Sequence, residues 1–306
     1  MKVLITGALG HIGSSLIRSL SKNNNINKIF LIDNLISLRY CSLFSLPKNT
    51  KYSFKNLNIS NCKIEEIPKA DYVIHLAAKT DAAQSAGYEE EFYSNNLKAT
   101  KNIIKYCKKN SCKLIFASST SVYGPQSTLV DENCKKSELK PQSPYADIKL
   151  FEEKLIYKNL LKEKFIILRL GTIYGFSSGI RFHTAVNKFC LQACMGKPLT
   201  VWSTAYNQKR PYLNLNDFNN IILHILNKKL KFNNIYNAVS KNLTVKEVID
   251  VIKLFKKVSI KYVNHPIMNQ MSYEVSNKKI LNSKFKFKSE VKKNIKETIN
   301  KLNNIN

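Results

Sequence analysis

Eight residues near the start restrict this chain more than any other feature. They are Thr6-Gly7-Ala8-Leu9-Gly10-His11-Ile12-Gly13, set between the apolar run Lys2–Thr6 and a helical pattern that continues to about Leu20. Glycines at this spacing allow a tight turn and let the backbone approach a pyrophosphate, whose charge then sits on free N–H groups at the helix N-terminus. Glycine-rich turns also arise for purely steric reasons, so the context carries the argument. A strand precedes, a helix follows, and Asp33 closes a second apolar run (Lys28–Asp33) 20 positions after Gly13. A carboxylate there accepts hydrogen bonds from a ribose diol and repels a 2′-phosphate. NAD is therefore expected over NADP.

The first half continues the same rhythm. Strands are expected at Tyr72–Ala77, Lys113–Ser118 and Phe165–Leu170, with amphipathic helices over Glu89–Asn110 and Tyr145–Leu161. Alternating strands and helices imply a doubly wound parallel sheet of Rossmann type, covered on both faces. After about Gly171 the pattern turns irregular: helices over Thr184–Met195 and Leu215–Asn227, a short strand at Leu199–Trp202, and a final third (Val245–Phe255, Asn277–Leu281, Glu290–Leu302) that reads as a smaller α/β lobe ending in a lysine-rich helix. The expected organisation is an α/β chain. Residues 1–170 form a dinucleotide-binding domain to which some later segments return, and residues 171–306 are mainly a smaller α/β substrate lobe.

Composition narrows the function classes. Seven cysteines without CxxC or Cys/His metal spacing argue against a disulfide framework or a zinc site, and no metal is expected. No apolar run approaches the roughly 20 residues of a membrane-spanning helix. Glycines 7, 10 and 13 interrupt the apolar N-terminus, so a secretory leader is not expected, and the cytoplasm is the expected compartment. Lys and Arg number 49 against 21 acids, a formal charge of +28. That balance raises nucleic acid as a partner. The excess is spread lysine, accompanied by Asn and Ile, residues that share A/T-rich codons; no aromatic-interleaved basic stripe appears. A solvated basic surface is the expected reading, and nucleic acid is not the expected partner.

Tyr145 and Lys149 lie four apart on an expected helix and so share a face. A phenol with a pKa near 10 is a poor base at neutral pH, but a nearby ammonium and an NAD⁺ nicotinamide favour its phenolate. Ser119, just beyond the apolar strand, can complete a triad by bonding the substrate oxygen whose proton Tyr145 removes.

These residues and their surroundings resemble the extended short-chain dehydrogenase/reductase family, in particular its nucleotide-sugar epimerases and dehydratases. The resemblance runs through Thr6–Gly13, Asp33-Asn34-Leu35, Val73-Ile74-His75-Leu76-Ala77-Ala78 and Asn95-Asn96-Leu97. It continues through Ser118–Gly124, Ser143-Pro144-Tyr145 with Lys149, and Arg210-Pro211-Tyr212 leading to Asp217. It implies Ser119, Tyr145 and Lys149 as the catalytic triad. It implies a cofactor site of Gly7, Gly10, His11, Ile12, Gly13, Asp33, Asn34, Asn58, Ile59, Leu76, Ala77, Ala78, Lys79 and Asn96, together with Tyr145 and Lys149. Substrate would meet Ser119, Ser121, Thr172, Asn187, Val201 and Arg210, with Asn187 and Arg210 on a nucleotide diphosphate. A guanidinium suits that role because it grips phosphate oxygens through two N–H bonds. A homodimer through two helices of the large lobe is implied as well.

The departures bear on the reaction. Asn58 stands where relatives usually carry Asp, Ile148 where a small hydroxyl residue is common, and Thr172 where many have Asn. Family 4,6-dehydratases carry an Asp-Glu pair directly after the triad hydroxyl, and decarboxylases a Glu two positions after it. Here those positions are Thr120 and Ser121, which cannot serve as carboxylates. The expected activity is NAD-dependent 4-epimerisation of a nucleotide sugar, a UDP-hexose, through a transient 4-keto sugar. The alternatives are another NAD-dependent nucleotide-sugar oxidoreductase, or a sulfoquinovose-type synthase, since Thr184–Val201 also resembles sulfolipid-type enzymes. A non-catalytic nucleic-acid-binding relative is the remaining class, disfavoured because all three triad residues are present.

Overall fold

The computed structural model describes residues 1–48, 50–80, 87–126, 129–162, 164–264 and 272–303. In chain order the elements are β1 (Lys2–Thr6), α1 (His11–Leu20), β2 (Lys28–Asp33), β3 (Lys51–Asn56), β4 (Tyr72–His75), α2 (Glu89–Asn110) and β5 (Lys113–Ser119). There follow α3 (Pro144–Asn159), β6 (Phe165–Leu170), β7 (Thr172–Tyr174), α4 (Ala185–Cys194), β8 (Leu199–Trp202), β9 (Lys209–Asn214) and α5 (Leu215–Leu226). The chain closes with β10 (Asn234–Ala238), β11 (Lys241–Thr244), α6 (Val245–Lys253), β12 (Ile260–Val263), α7 (Lys278–Leu281) and α8 (Val291–Asn303).

Seven strands form one parallel sheet in the order β10-β6-β5-β4-β1-β2-β3, a Rossmann-type arrangement. Successive side chains of a strand point to opposite faces. Val3 and Ile5 therefore join Leu16, Ile17 and Leu20 of α1 and Ile221, Ile222 and Ile225 of α5, while Leu4 joins Ile103 and Ile104 of α2 and Ile156 of α3. Strands buried on both sides read as continuous apolar runs, which is why β1, β2 and β6 were legible. β3 was not: Lys51-Tyr52-Ser53-Phe54-Lys55-Asn56 is a half-exposed edge whose lysines suit its position. β10 returns to the opposite edge beside β6 from within residues 171–306.

A smaller unit packs α4, α6 and α8 with two short sheets, β11-β9-β7 and β12-β8. None of the seven cysteines is bridged. Among the described residues, no His/Cys/Asp/Glu cluster could hold a metal, and no helix is long and apolar enough to cross a membrane.

Candidate active site

The C-terminal ends of the central strands open into a cavity of about 1270 Å³ between the large sheet and the smaller unit. It lies where strand order reverses, between β1 and β4. At one end its shape is a matter of backbone. Gly7 sits at φ +66°, and a Cβ on it would come within 2.8 Å of Ala77 N. A Cβ on Gly13 would meet Ala8 O at 2.5 Å and Gly7 O at 2.6 Å. Only hydrogen fits at either position. Gly10 is the N-cap of α1 and supplies no side-chain cap, so the helix start faces the cavity bare. Asp33 is oriented by the loop it serves, accepting the Leu9 N–H on Oδ2 and the Leu35 N–H on Oδ1, both at 3.0 Å. Asn58 Oδ1 accepts from Ser60 N–H at 3.1 Å and Ser60 Oγ at 2.8 Å, bracing its own turn at the cavity edge. Ile12, Asn34, Ile59, Leu76, Ala77, Ala78 and Lys79 line the same end. A dinucleotide fits these residues: the turn would cradle its pyrophosphate and Asp33 would take its ribose diol.

Asn96 lies outside that lining. It is wholly buried, accepts the Lys79 N–H at 2.8 Å and donates to the Lys79 carbonyl at 2.9 Å, so it clamps the backbone of a cavity residue from behind. Asn187, expected on a diphosphate, also lies outside. Its Oδ1 accepts the Gly175 N–H at 3.0 Å, and its amide nitrogen donates to Arg181 O at 3.0 Å and stands 3.1 Å from His11 Nε2. With that amide so oriented, His11 accepts on Nε2 and donates from Nδ1 to Ser177 Oγ at 2.9 Å. Burial first, then Arg181, Arg39 and His183, hold the His11 pKa down to about 3. His11 is thus a neutral link between the glycine loop and the smaller unit. The next residue of α4, roughly 100° further round the helix, is the one that reaches the cavity: Lys188, half-buried, with its pKa lowered by burial.

At the other end Ser119 terminates β5, and its Oγ accepts the Ser121 N–H at 3.1 Å and the Ser121 hydroxyl at 2.8 Å. Tyr145 is the second residue of α3, a helix begun by Pro144 and capped by Ser143, whose Oγ accepts the Ala146 N–H at 3.3 Å. Lys149, one turn on, has its Nζ 6.0 Å from the Tyr145 ring centroid and 3.0 Å from Glu152 Oε2. Burial pulls the Lys149 pKa down, but Glu152 and then Tyr145 outweigh it and hold the ammonium above its ordinary range. Thr172, Val201 and Arg210 line this end from β7, β8 and β9. Arg210 lies 5.5 Å from the Tyr273 ring centroid and donates to Gln208 at 3.2 Å. Trp202 forms part of the wall. Arg39 and Arg181 carried no sequence signal, and Lys188 was visible only as the neighbour of Asn187. With Lys79, Lys149 and Arg210 they put six cationic side chains against two carboxylates, Asp33 and Glu91, among the described lining residues. Such a cavity attracts a polyanion.

The sequence model of the NAD dependent epimerase/dehydratase family matches residues 3–238. The chain belongs to that family. It is an enzyme of the family, and its cofactor is NAD. It is 31% identical over 237 residues to the uncharacterized UDP-glucose epimerase YtcB of Bacillus subtilis (strain 168), covering 74% of this chain and 73% of that one. It is 32% identical over 281 residues to a dTDP-D-glucose 4,6-dehydratase of Dictyostelium discoideum, covering 85% of this chain but 62% of the relative. Its fold is similar, with a TM-score of 0.90 and full coverage of both chains at 24% identity, to a point mutant of UDP-glucuronic acid 4-epimerase from Bacillus cereus in complex with a UDP-sugar and NAD.

Proposed function

We propose that this enzyme inverts C4 of a UDP-hexose through a transient 4-keto sugar, with Ser119, Tyr145 and Lys149 as the reacting side chains. One observation carries the choice among the family's reactions. The two residues after Ser119 are hydroxyl residues with other duties: Thr120 is buried with its Oγ1 3.2 Å from Leu170 O, and Ser121 donates to Ser119 Oγ at 2.8 Å. Of the two carboxylates in the described lining, Asp33 is tied to the glycine loop and Glu91 is paired with Lys79. Among the described residues, no acid is therefore stationed to expel a C6 hydroxyl or to assist loss of a carboxyl group.

What remains is proton transfer at O4. Ser119 donates a hydrogen bond to the oxygen, Tyr145 takes its proton as phenolate, and the Lys149 ammonium stabilises that phenolate. NAD, held by the glycine turn and Asp33, would supply a reversible hydride acceptor for the C4 hydrogen, and inversion requires the keto sugar to turn over within the cavity before C4 is reduced again. Tyr145 then returns its proton to O4, so the step is redox-neutral overall. Arg210 and Lys188 would hold the diphosphate, where a planar fork and a point charge complement each other. A second copy of the chain would pack against α2 and α3, whose outer faces present Tyr93 and Phe151 in ring contact at 6.1 Å, and light scattering of the purified enzyme would report the dimer.

The test is to incubate the NAD-loaded enzyme separately with UDP-glucose and UDP-glucuronic acid and to follow the sugar by NMR. The C4 epimer of one of them should appear without accumulation of NADH, and Tyr145→Phe should lower turnover by about 10³-fold while retaining NAD. A 6-deoxy or decarboxylated product would overturn the reading.

A further inference from the structure

Helix α3 carries two adjacent glutamates, Glu152 and Glu153, at 1% and 3% exposure, and each has its own cation. Glu153 takes Arg169 in a fork, Nε at 3.0 Å and Nη2 at 2.7 Å, and also accepts from Ser118 Oγ at 2.5 Å. Glu152 Oε2 faces the Lys149 ammonium at 3.0 Å, and its Oε1 accepts the Thr100 hydroxyl of α2. Thr100 Oγ1 stands 3.4 Å from His75 Nε2, and His75 Nδ1 stands 2.7 Å from Thr6 Oγ1. Thr6 in turn accepts the Ala77 N–H at 3.3 Å.

With the His75 ring neutral and Glu152 facing the ammonium as a carboxylate, one assignment of protons satisfies every link. Ala77 N–H donates to Thr6, Thr6 O–H to Nδ1 of His75, Nε2–H of His75 to Thr100, and Thr100 O–H to Glu152. Burial, then Lys149, hold the His75 pKa down to about 3, which keeps the ring neutral as this chain of donors requires. Thr6, His75, Thr100 and Glu152 are all at 2% exposure or less, so water does not screen them from outside. The chain starts at the wall of the cofactor end and finishes at Lys149.

We propose that Glu152 is a positioning residue of the reaction centre: held by the Thr100–His75–Thr6 chain, its carboxylate is set against the Lys149 ammonium and offsets part of the charge with which that ammonium stabilises the Tyr145 phenolate. The proposal rests on the reading of Tyr145 and Lys149 as the reacting pair. The groups facing Lys149 support it: Tyr145, Glu152 and Glu153 on its own helix, the Phe116 ring of β5 at 4.6 Å, and His75 at the end of β4. Glu153 is already balanced by Arg169, and His75 is neutral. Glu152 is the carboxylate that offsets the ammonium. Removing a negative charge makes every nearby proton leave more easily, so Tyr145 and Lys149 would both titrate at lower pH without it.

The experiment needs no sugar. The phenolate absorption of Tyr145 is titrated in NAD-loaded protein as the difference from Tyr145→Phe, in the wild-type and Glu152→Gln backgrounds. The midpoint should fall in Glu152→Gln by on the order of one pH unit. An unmoved or raised midpoint in a folded, NAD-loaded variant would overturn the proposal, since a merely packed glutamine-sized side chain does not move it. If Glu152→Gln fails to fold, Glu152→Asp serves to assign the Glu152 carboxyl carbon in glutamate-labelled protein. That resonance should shift through the Tyr145 midpoint and stop shifting in Tyr145→Phe; a resonance indifferent to Tyr145 would contradict the coupling. A wrong choice of sugar leaves both readouts intact, so failure of the function and failure of this inference are told apart.

Discussion

At the dinucleotide end of the cavity the decisive atoms belong to the main chain: Gly7 at φ +66°, Gly13 against two carbonyls, and Asp33 held by loop N–H groups. At the sugar end they belong to side chains delivered from separate elements, Thr172 on β7, Lys188 on α4, Val201 on β8 and Arg210 on β9. A backbone cradle tolerates no added atom, whereas a wall of side chains can be retuned one residue at a time. One fold can thus keep its cofactor while its substrate changes.

The largest effect should come from filling the cradle. Gly13→Val puts side-chain atoms where Ala8 O already stands 2.5 Å from a Cβ, so the protein should lose about 3 kcal/mol of stability and its bound NAD. Urea unfolding and the NAD content of the purified variant check this, and a variant that retained NAD would break the contrast between the two ends. Arg210→Ala should do the reverse, leaving NAD content unchanged while raising KM about 30-fold, the worth of about 2 kcal/mol for a lost charged hydrogen bond. A fall in NAD retention there would show that the ends are not independent.

The seam between them should respond to acid. His11 and His75 are held near 3 in the fold against 6.5 in the unfolded chain. The unfolded chain therefore binds protons that the fold refuses. Their contribution is fully present above pH 6.5 and is lost as pH falls toward 3, at about 1.4 kcal/mol per pH unit for each histidine. Unfolding free energies at pH 7 and pH 5 should show the loss, and His11→Asn should recover its share, about 2 kcal/mol over that interval. An unchanged loss in His11→Asn would remove His11 from the seam.

The same contrast explains what could be read in advance. β1, α1 and β2 were legible with Asp33 because glycine spacing and doubly buried apolar runs are local signals. β3 and β10 were not, since an edge strand needs no continuous apolar run. Asn187 and Lys188 show the limit at the sugar end. A motif locates the α4 segment, but which of two neighbours reaches the cavity depends on how α4 is docked, and Gly175, Arg181 and His11 decide that from elsewhere in the chain. Glu152 shows it again: Lys149 has a glutamate three and another four residues on along α3, and which of them is left for it is decided by Arg169 of β6, which takes Glu153, and Thr100 of α2, which holds Glu152.

The central claim is redox-neutral inversion at C4, and a labelled sugar tests it most directly. The NAD-loaded enzyme would be given UDP-glucose or UDP-glucuronic acid deuterated at C4 and the product examined by NMR. A C4 epimer with deuterium retained at C4 is the predicted product. Deuterium at C6 of a 4-keto-6-deoxy sugar, or its loss from C4 with a decarboxylated product, would contradict the claim.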